Sequence, residues 1–269
     1  MEIPSRVIAI LIGVERPATI EYPDSGSQFR FRPLRGVAND LDWYAEFFYK
    51  TVQAPVLLTL IRPPEPSDTT AEALKNTVRE AFADLRDGDL LVLVLCGHGF
   101  QVRDQDGDET EDRFDEAFAT SRGLILDDFF NEVWTTPTNA RAAAIAIVDT
   151  CNSDTLGIKG FETRPITVHH DAGLPRISVS ASEQWQKARE TKSQTKPRGY
   201  FSQALEDAWT HVPEARTSYR ALFETAAELV GGRSNQTSRI RYYGPADRED
   251  LLDAAPFGHR SDQRVPDGG

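Results

Sequence analysis

The chain has 269 residues, of which 39 % are hydrophobic and 27 % charged, the profile of one folded domain and not of a disordered polymer. Its net charge of −12 excludes a nucleic-acid binder, because phosphate contacts need a basic face; a cationic ligand fits better. Two cysteines, Cys96 and Cys151, are too few for a disulfide framework or a thiolate metal cluster.

The first element is Val7 to Ile12, a continuous apolar run ended by Gly13, as in a strand buried on both faces of a parallel sheet. Leu41, Tyr44, Ala45 and Phe48 then recur at helical spacing. A second strand is expected at Val56 to Ile61, followed by a helix carrying Leu74, Val78, Ala81, Phe82 and Leu85 after the cap candidates Asp68 and Thr69. Further apolar runs at Leu90 to Leu95 and Ala144 to Val148, and a weaker one at Ile177 to Val179, read as strands. Helices are expected at Asp127 to Trp134, Ser202 to Trp209 and Tyr219 to Val230, with a last strand at Ile240 to Tyr243.

This alternation predicts a three-layer αβα sandwich around a mostly parallel sheet of about six strands. The polar stretches Pro17 to Pro33, Gln101 to Arg122, Asn152 to Pro175 and Glu183 to Arg198 read as irregular, and ligands bind outside the carboxyl ends of strands in such sheets. One domain over 1–255 and a frayed, Pro/Gly/Asp-rich tail over 256–269 are expected. No apolar run nears the roughly 20 residues that span a bilayer, so no membrane contact and a cytoplasmic location are expected.

Two of the buried strands end in reactive side chains. Leu90 to Leu95 runs into Cys96-Gly97-His98-Gly99, where the glycines clear space around an imidazole. A strand-end histidine is more often structural, so this one gains weight from its neighbours. Ala144 to Val148 runs into Asp149-Thr150-Cys151-Asn152-Ser153-Asp154. Most lone cysteines are small buried hydrophobes, but this one stands in a polar turn, where a thiol beside an imidazole can ionise and attack.

Together these segments resemble the caspases and metacaspases. Val94 to Gly99 is similar to the family's strand and Gly-His-Gly, and Asp149 to Ser153 is similar to its Asp-x-Cys-His-Ser-Gly block. His98 and Cys151 stand 53 residues apart (98 to 151), close to the roughly 50 typical of caspases. Leu34 to Asp40, the acidic loop from Asp106 to Glu116, Ile125 to Asp128, Ser178 to Ser182 and Gly199 to Ser202 resemble further family motifs in the same order. Asn152, Asp154 and Cys96 depart from the family's His, Gly and Ser, and Asp154 places a negative charge near a thiol that must ionise.

The resemblance implies a caspase-hemoglobinase-like fold, with a large-subunit-like portion over about 1–155 and a small-subunit-like portion over 175–250. It implies a cysteine endopeptidase with Cys151 as nucleophile, His98 as general base and the N–H groups of Gly99 and Cys151 as oxyanion hole. It places the carboxylates that bind an Arg or Lys of a protein or peptide substrate on Asp40 and Asp149, beside Cys96. An acidic residue in the first turn of a helix more often serves that helix alone. No cofactor is needed for the chemistry; calcium is implied as an activator, with Asp112, Asp127 and Asp128 as ligands, the alternative being a solvated acidic loop.

Self-cleavage is expected after Lys159, Arg164, Lys187, Arg189, Lys192, Lys196 or Arg198, which stand in polar sequence. A bacterial stress or defence setting and a separately encoded regulatory protein are implied as well. The competing functions are a catalytically silent caspase-like scaffold and a calcium-binding interaction module. Against the latter, Asp104-x-Asp106-x-Asp108 has Glu109 where an EF-hand loop needs Gly.

Overall fold

A computed structural model describes residues 4–21, 28–62, 69–104, 114–138, 140–150, 166–182, 190, 191, 193 and 195–259. In chain order its strands are β1 Arg6–Gly13, β2 Ile20–Glu21, β3 Gln28–Phe29, β4 Val56–Ile61, β5 Asp89–Cys96, β6 His98–Arg103, β7 Phe114–Ala119, β8 Leu124–Leu126, β9 Ala143–Asp149, β10 Ile166–His170, β11 Arg176–Ser180 and β12 Arg239–Gly244. The α-helices are α1 Val37–Thr51, α2 Ala71–Ala83, α3 Asp127–Thr135, α4 Tyr200–His211 and α5 Tyr219–Arg233.

The central sheet has seven strands in the order β10-β12-β11-β9-β5-β1-β4. Neighbours are parallel except β11 and β12, so β10 and β12 run against the rest. The period of two explains how one sheet supports two cores. Val7, Ala9 and Leu11 of β1 and Leu90, Val92, Val94 and Cys96 of β5 face α1, α4 and α5. Ile8, Ile10 and Ile12 with Leu91, Leu93 and Leu95 face α2 and α3. Every residue of β5 and β9 is buried, as their unbroken apolar runs require.

Three expectations need correction. The sheet has seven strands because Ile166–His170 pairs with β12 at the edge, although its two terminal histidines read as polar loop. The cap of α2 is Thr70, whose Oγ1 accepts from the Ala73 N–H at 3.3 Å, not Asp68 or Thr69; Asp68 lies outside the described residues. The chain also stays packed beyond 255. Phe257 is 2 % exposed, its N–H donates to the Tyr219 hydroxyl at 2.8 Å, and its ring meets Phe47, Phe48 and Tyr219.

The register fixes where the chemistry sits. Gly13, Cys96 and Asp149 form one row across β1, β5 and β9 at their carboxyl ends. Since Ala143, Ile145 and Ile147 face α1 and α4, alternation puts the Asp149 side chain on that same face. After Gly97, whose N–H donates to the Asp149 carbonyl at 3.3 Å, the chain leaves the central sheet. It enters a three-stranded antiparallel sheet, β6-β7-β8.

Candidate active site

His98 is the first residue of β6, paired with Ala119, at the point where the chain turns from one sheet into the other. Its Nε2 lies 2.7 Å from the Arg32 carbonyl oxygen. A carbonyl only accepts, so Nε2 carries the proton and Nδ1 keeps the lone pair. The imidazole is propped by Phe31, at 4.9 Å between centroids, and Phe31 in turn packs on Phe29 and Phe100. Burial pushes the His98 pKa below its ordinary value, while the Arg32 carbonyl and the charge of Glu190 act in the opposite sense. The result is a half-buried, oriented and neutral imidazole, the state a general base needs.

Asp40 and Asp149 converge although 109 positions separate them (40 to 149). Asp40 lies in the first turn of α1 but serves another helix: its Oδ2 accepts from the Gly199 N–H at 2.8 Å, at the entry of α4. Its Oδ1 accepts from Arg198 Nε. Asp149 Oδ2 accepts from the Ser202 hydroxyl at 2.7 Å and from the Ser202 N–H at 3.1 Å. Both carboxylates therefore sit at the amino end of α4, where the helix dipole favours negative charge. The two are 3 % and 7 % exposed.

Burying two like charges together is costly. Burial first, and then the charge of Asp149, push the Asp40 carboxyl up to about 8 against the opposing pull of Arg198 and the Gly199 N–H. Burial likewise raises Asp149, with Ser202 holding it down. Cys96 is a free thiol, 1 % exposed, in the same core layer; burial, Asp40 and Asp149 push its pKa well up. It is an inert thiol packed beside the carboxylates.

Gly199 has ordinary helical-entry dihedrals, φ −60° and ψ 139°, so its freedom is not what the site uses. Space is. A Cβ here would stand 2.3 Å from Asp149 Oδ2, so only glycine lets the backbone come this near the carboxylate.

Of the residues expected from sequence to act, His98, Gly99, Asp40, Asp149 and Cys96 gather at the carboxyl ends of β5 and β9. Cys151 follows Thr150 in the chain and lies outside the described residues, as does Asp112. Gly99 stands opposite Phe118 in the β6-β7 ladder. Asp115, Asp127 and Asp128 bring ligand oxygens within 4.8 Å of one another, a hard oxygen set that fits calcium. Asp115 thus joins Asp127 and Asp128 there.

Sequence reasoning missed the Arg32 carbonyl, Glu190 and the burial of Arg198. Glu190 Oε1 accepts from the Arg35 N–H at 2.7 Å and from the Gly36 N–H, tying the segment after Arg32 to residues far along the chain. Arg198, expected as an accessible self-cleavage point, is 5 % exposed and bound to Asp40 and Glu206. Lys196 is exposed; the other five basic residues of that set lie outside the described residues. The helix-entry motif Gly199 to Ser202 was visible in the sequence, and a serine on an otherwise apolar helix face was the available signal.

Residues 9–157 match the family described as metacaspase, peptidase C14 domain. Metacaspase-1B of Neurospora crassa is 32 % identical over 130 residues, 45 % of this chain and 30 % of that protein. Metacaspase-2 of Arabidopsis thaliana is 32 % identical over 131 residues, 46 % of this chain and 31 % of that protein. The matched region thus spans less than a third of these relatives. In three dimensions, a crystallised protein of Geobacter sulfurreducens superposes with a TM-score of 0.65 at 18 % identity, covering 94 % of this chain and 99 % of its own. Caspase-1 of Spodoptera frugiperda gives 0.56 at 14 %, covering 98 % and 93 %. These two likenesses concern the fold. Among the described residues no helix is long and apolar enough to cross a membrane.

Proposed function

The chain belongs to the metacaspase, peptidase C14 domain family, and on that premise we propose that it is a cysteine endopeptidase cutting protein chains after Arg or Lys. The observation that carries this reading is the commitment of His98 Nε2 to the Arg32 carbonyl, which leaves Nδ1 as a base at the carboxyl edge where β5 and β9 adjoin. Cys151 follows two residues after Asp149, whose strand neighbour is Cys96, so nucleophile and base belong to adjacent strand ends.

In this mechanism His98 Nδ1 takes the proton of the Cys151 thiol, and the thiolate sulfur attacks the scissile carbonyl carbon. The N–H groups of Gly99 and Cys151 receive the developing oxyanion. The carbon–nitrogen bond breaks as His98 returns the proton to the leaving amine. Water, deprotonated by the same imidazole, then cleaves the thioester and frees Cys151. The Arg32 carbonyl steadies the imidazolium between these transfers, the role of the third member in such triads.

Asp40 and Asp149 are the groups that receive the basic side chain of the substrate. A planar guanidinium can be held by two carboxylates at once, so Arg is favoured over Lys. Calcium, held by Asp115, Asp127 and Asp128, would neutralise clustered carboxylates and order the segment after the general base. Self-cleavage at the basic residues of the stretches Asn152 to Pro175 and Glu183 to Arg198, the buried Arg198 excepted, a separately encoded regulator, a cytoplasmic location and a bacterial stress or defence setting belong to the same reading.

The test is a panel of fluorogenic peptides differing only in Arg, Lys, citrulline or Asp before the scissile bond, assayed on the wild type, Cys151→Ala and His98→Ala. Turnover of the Arg and Lys peptides, lost in both variants with folding retained, is the expected result. Preference for Asp, or turnover surviving Cys151→Ala, overturns the assignment.

A further inference from the structure

The acidic site of this chain already contains a basic side chain. Arg198 Nε donates to Asp40 Oδ1, and Nη1 donates to Glu206 Oε2 at 2.6 Å. The two carboxylates differ in depth, the Asp40 side chain being 4 % exposed and that of Glu206 36 %. The guanidinium carbon lies 5.6 Å from the centroid of the Trp43 ring. Arg198 therefore bridges a buried acid to one at the rim, along an aromatic surface.

Its backbone is firmly held while its side chain is not fully used. The Arg198 N–H donates to Thr191 Oγ1 at 3.2 Å, and the Thr191 N–H donates to the Arg198 carbonyl at 2.7 Å. Asn39 Nδ2 donates to the Pro197 carbonyl at 2.8 Å, and Glu190 bridges Gly199 in antiparallel fashion. By contrast Nη2 of Arg198 is buried with no hydrogen-bond partner among the described residues. A guanidinium that served only to build the core would be expected to place its donors on acceptors.

We propose that Arg198 is a specificity-determining residue, an internal occupant of the acidic site that the substrate's own basic side chain must displace from Asp40. This rests on the reading of Asp40 and Asp149 as the substrate-binding pair. The exchange is confined to side chains: the guanidinium leaves Asp40, keeps Glu206 and Trp43 at the rim, and a substrate Arg or Lys takes its place.

Charge makes the exchange selective. Once Arg198 has left, Asp40 is a buried carboxylate beside Asp149, and only an incoming cation restores its partner. A neutral side chain of the same shape leaves it unpaired. Burial and the charge of Asp149 already disfavour the ionised form of Asp40, so its carboxylate depends on having a cation beside it. The internal occupant also lowers apparent affinity in proportion to the fraction of molecules in which the site is free.

The experiment compares binding and turnover of two peptides, identical except for Arg or citrulline before the scissile bond. Binding is measured by calorimetry on Cys151→Ala, and turnover on the intact nucleophile, each with Arg198, Arg198→Lys and Arg198→Gln. Removing the occupant should tighten binding of the Arg peptide and lower its KM by about tenfold, with kcat unchanged. Arg198→Lys, which keeps a positive charge for Asp40 but loses the fork that reaches Glu206 as well, should give a smaller change in the same direction.

Weaker binding of the Arg peptide in folded Arg198→Lys or Arg198→Gln overturns the proposal and makes Arg198 a builder of the site. Should Arg198→Gln not fold, Arg198→Lys alone decides between these outcomes. Equal binding of Arg and citrulline peptides by the wild type, with no change in Asp40→Asn, instead removes the acidic-pair reading itself, and the proposal with it.

Discussion

Replacing Ser202 by alanine tests whether the amino end of α4 holds Asp149. The hydroxyl donates to Asp149 Oδ2 at 2.7 Å inside a fully buried environment, leaving after mutation the Ser202 N–H at 3.1 Å. A hydrogen bond to a charged group contributes about 1.5–3 kcal/mol, so Ser202→Ala should cost about 2 kcal/mol where Asp149 is ionised. For a domain of this size that corresponds to roughly 4–8 °C in Tm. The sign of the pH dependence follows from Asp149, whose pKa is raised by burial and lowered by Ser202. A carboxyl with a raised folded pKa contributes its stability below the unfolded value and loses it as pH rises through the folded one. Without the hydroxyl the folded pKa climbs further, so the variant loses more at pH 8 than at pH 5. Urea unfolding of Ser202→Ala in a Cys151→Ala background, at both pH values, gives the comparison. A loss below about 0.5 kcal/mol, the scale of ordinary surface substitutions, or an equal loss at both pH values, refutes the role given to this bond.

Gly199→Ala puts a Cβ 2.3 Å from Asp149 Oδ2 and should destabilise by about 1–3 kcal/mol, as overpacking does, while raising KM for Arg peptides; unchanged urea midpoints would show that α4 shifts freely. The lowered pKa of His98 keeps the imidazole neutral below its ordinary value, so the acid limb of kcat/KM should fall below pH 6.5. Glu190→Gln should move that limb lower still, because the Glu190 charge acts to raise His98; a limb above pH 6.5 in the wild type contradicts the burial argument. Hydrolysis of an Arg peptide should be faster in millimolar calcium than in chelator, and Asp127→Asn should blunt the difference; equal rates in the wild type would leave Asp115, Asp127 and Asp128 as an acidic cluster without a cation role.

The strands that carry the chemistry were legible because β1, β5 and β9 are buried on both faces and so read as unbroken apolar runs. Strand β7 was hidden for the opposite reason. Asp115 and Glu116 follow its first residue and read as acidic loop, yet they are 1 % and 0 % exposed, their burial set by packing against other elements. The role of Asp40 was half legible: its place in the first turn of a helix was plain, but the helix it serves starts at Tyr200. Arg198 was misjudged because Lys196-Pro197-Arg198-Gly199 has the local composition of a surface turn. The carboxylate it pairs with, Asp40, lies 158 positions away, and local pattern carries no information at that distance. The Arg32 carbonyl was beyond reach in principle, since any residue supplies a backbone oxygen and only the path of the chain aims it.

The long separation of Asp40 and Arg198 also bears on when the proposed activity can first arise. During synthesis the amino-terminal portion, with Asp40, His98 and Asp149, leaves the ribosome before the cation that pairs with Asp40 and before the Gly199 and Ser202 donors that hold the two carboxylates. At roughly 5–20 residues per second, the interval between Asp149 and Ser202 lasts several seconds. Throughout it the two acids lack the Arg198, Gly199 and Ser202 donors that hold their final spacing, so the proposed substrate-binding pair is not yet assembled. On the proposed function, chain order alone keeps the nascent chain from cutting its neighbours, with α4, made after Asp40, His98 and Asp149, acting as the element that completes the pair.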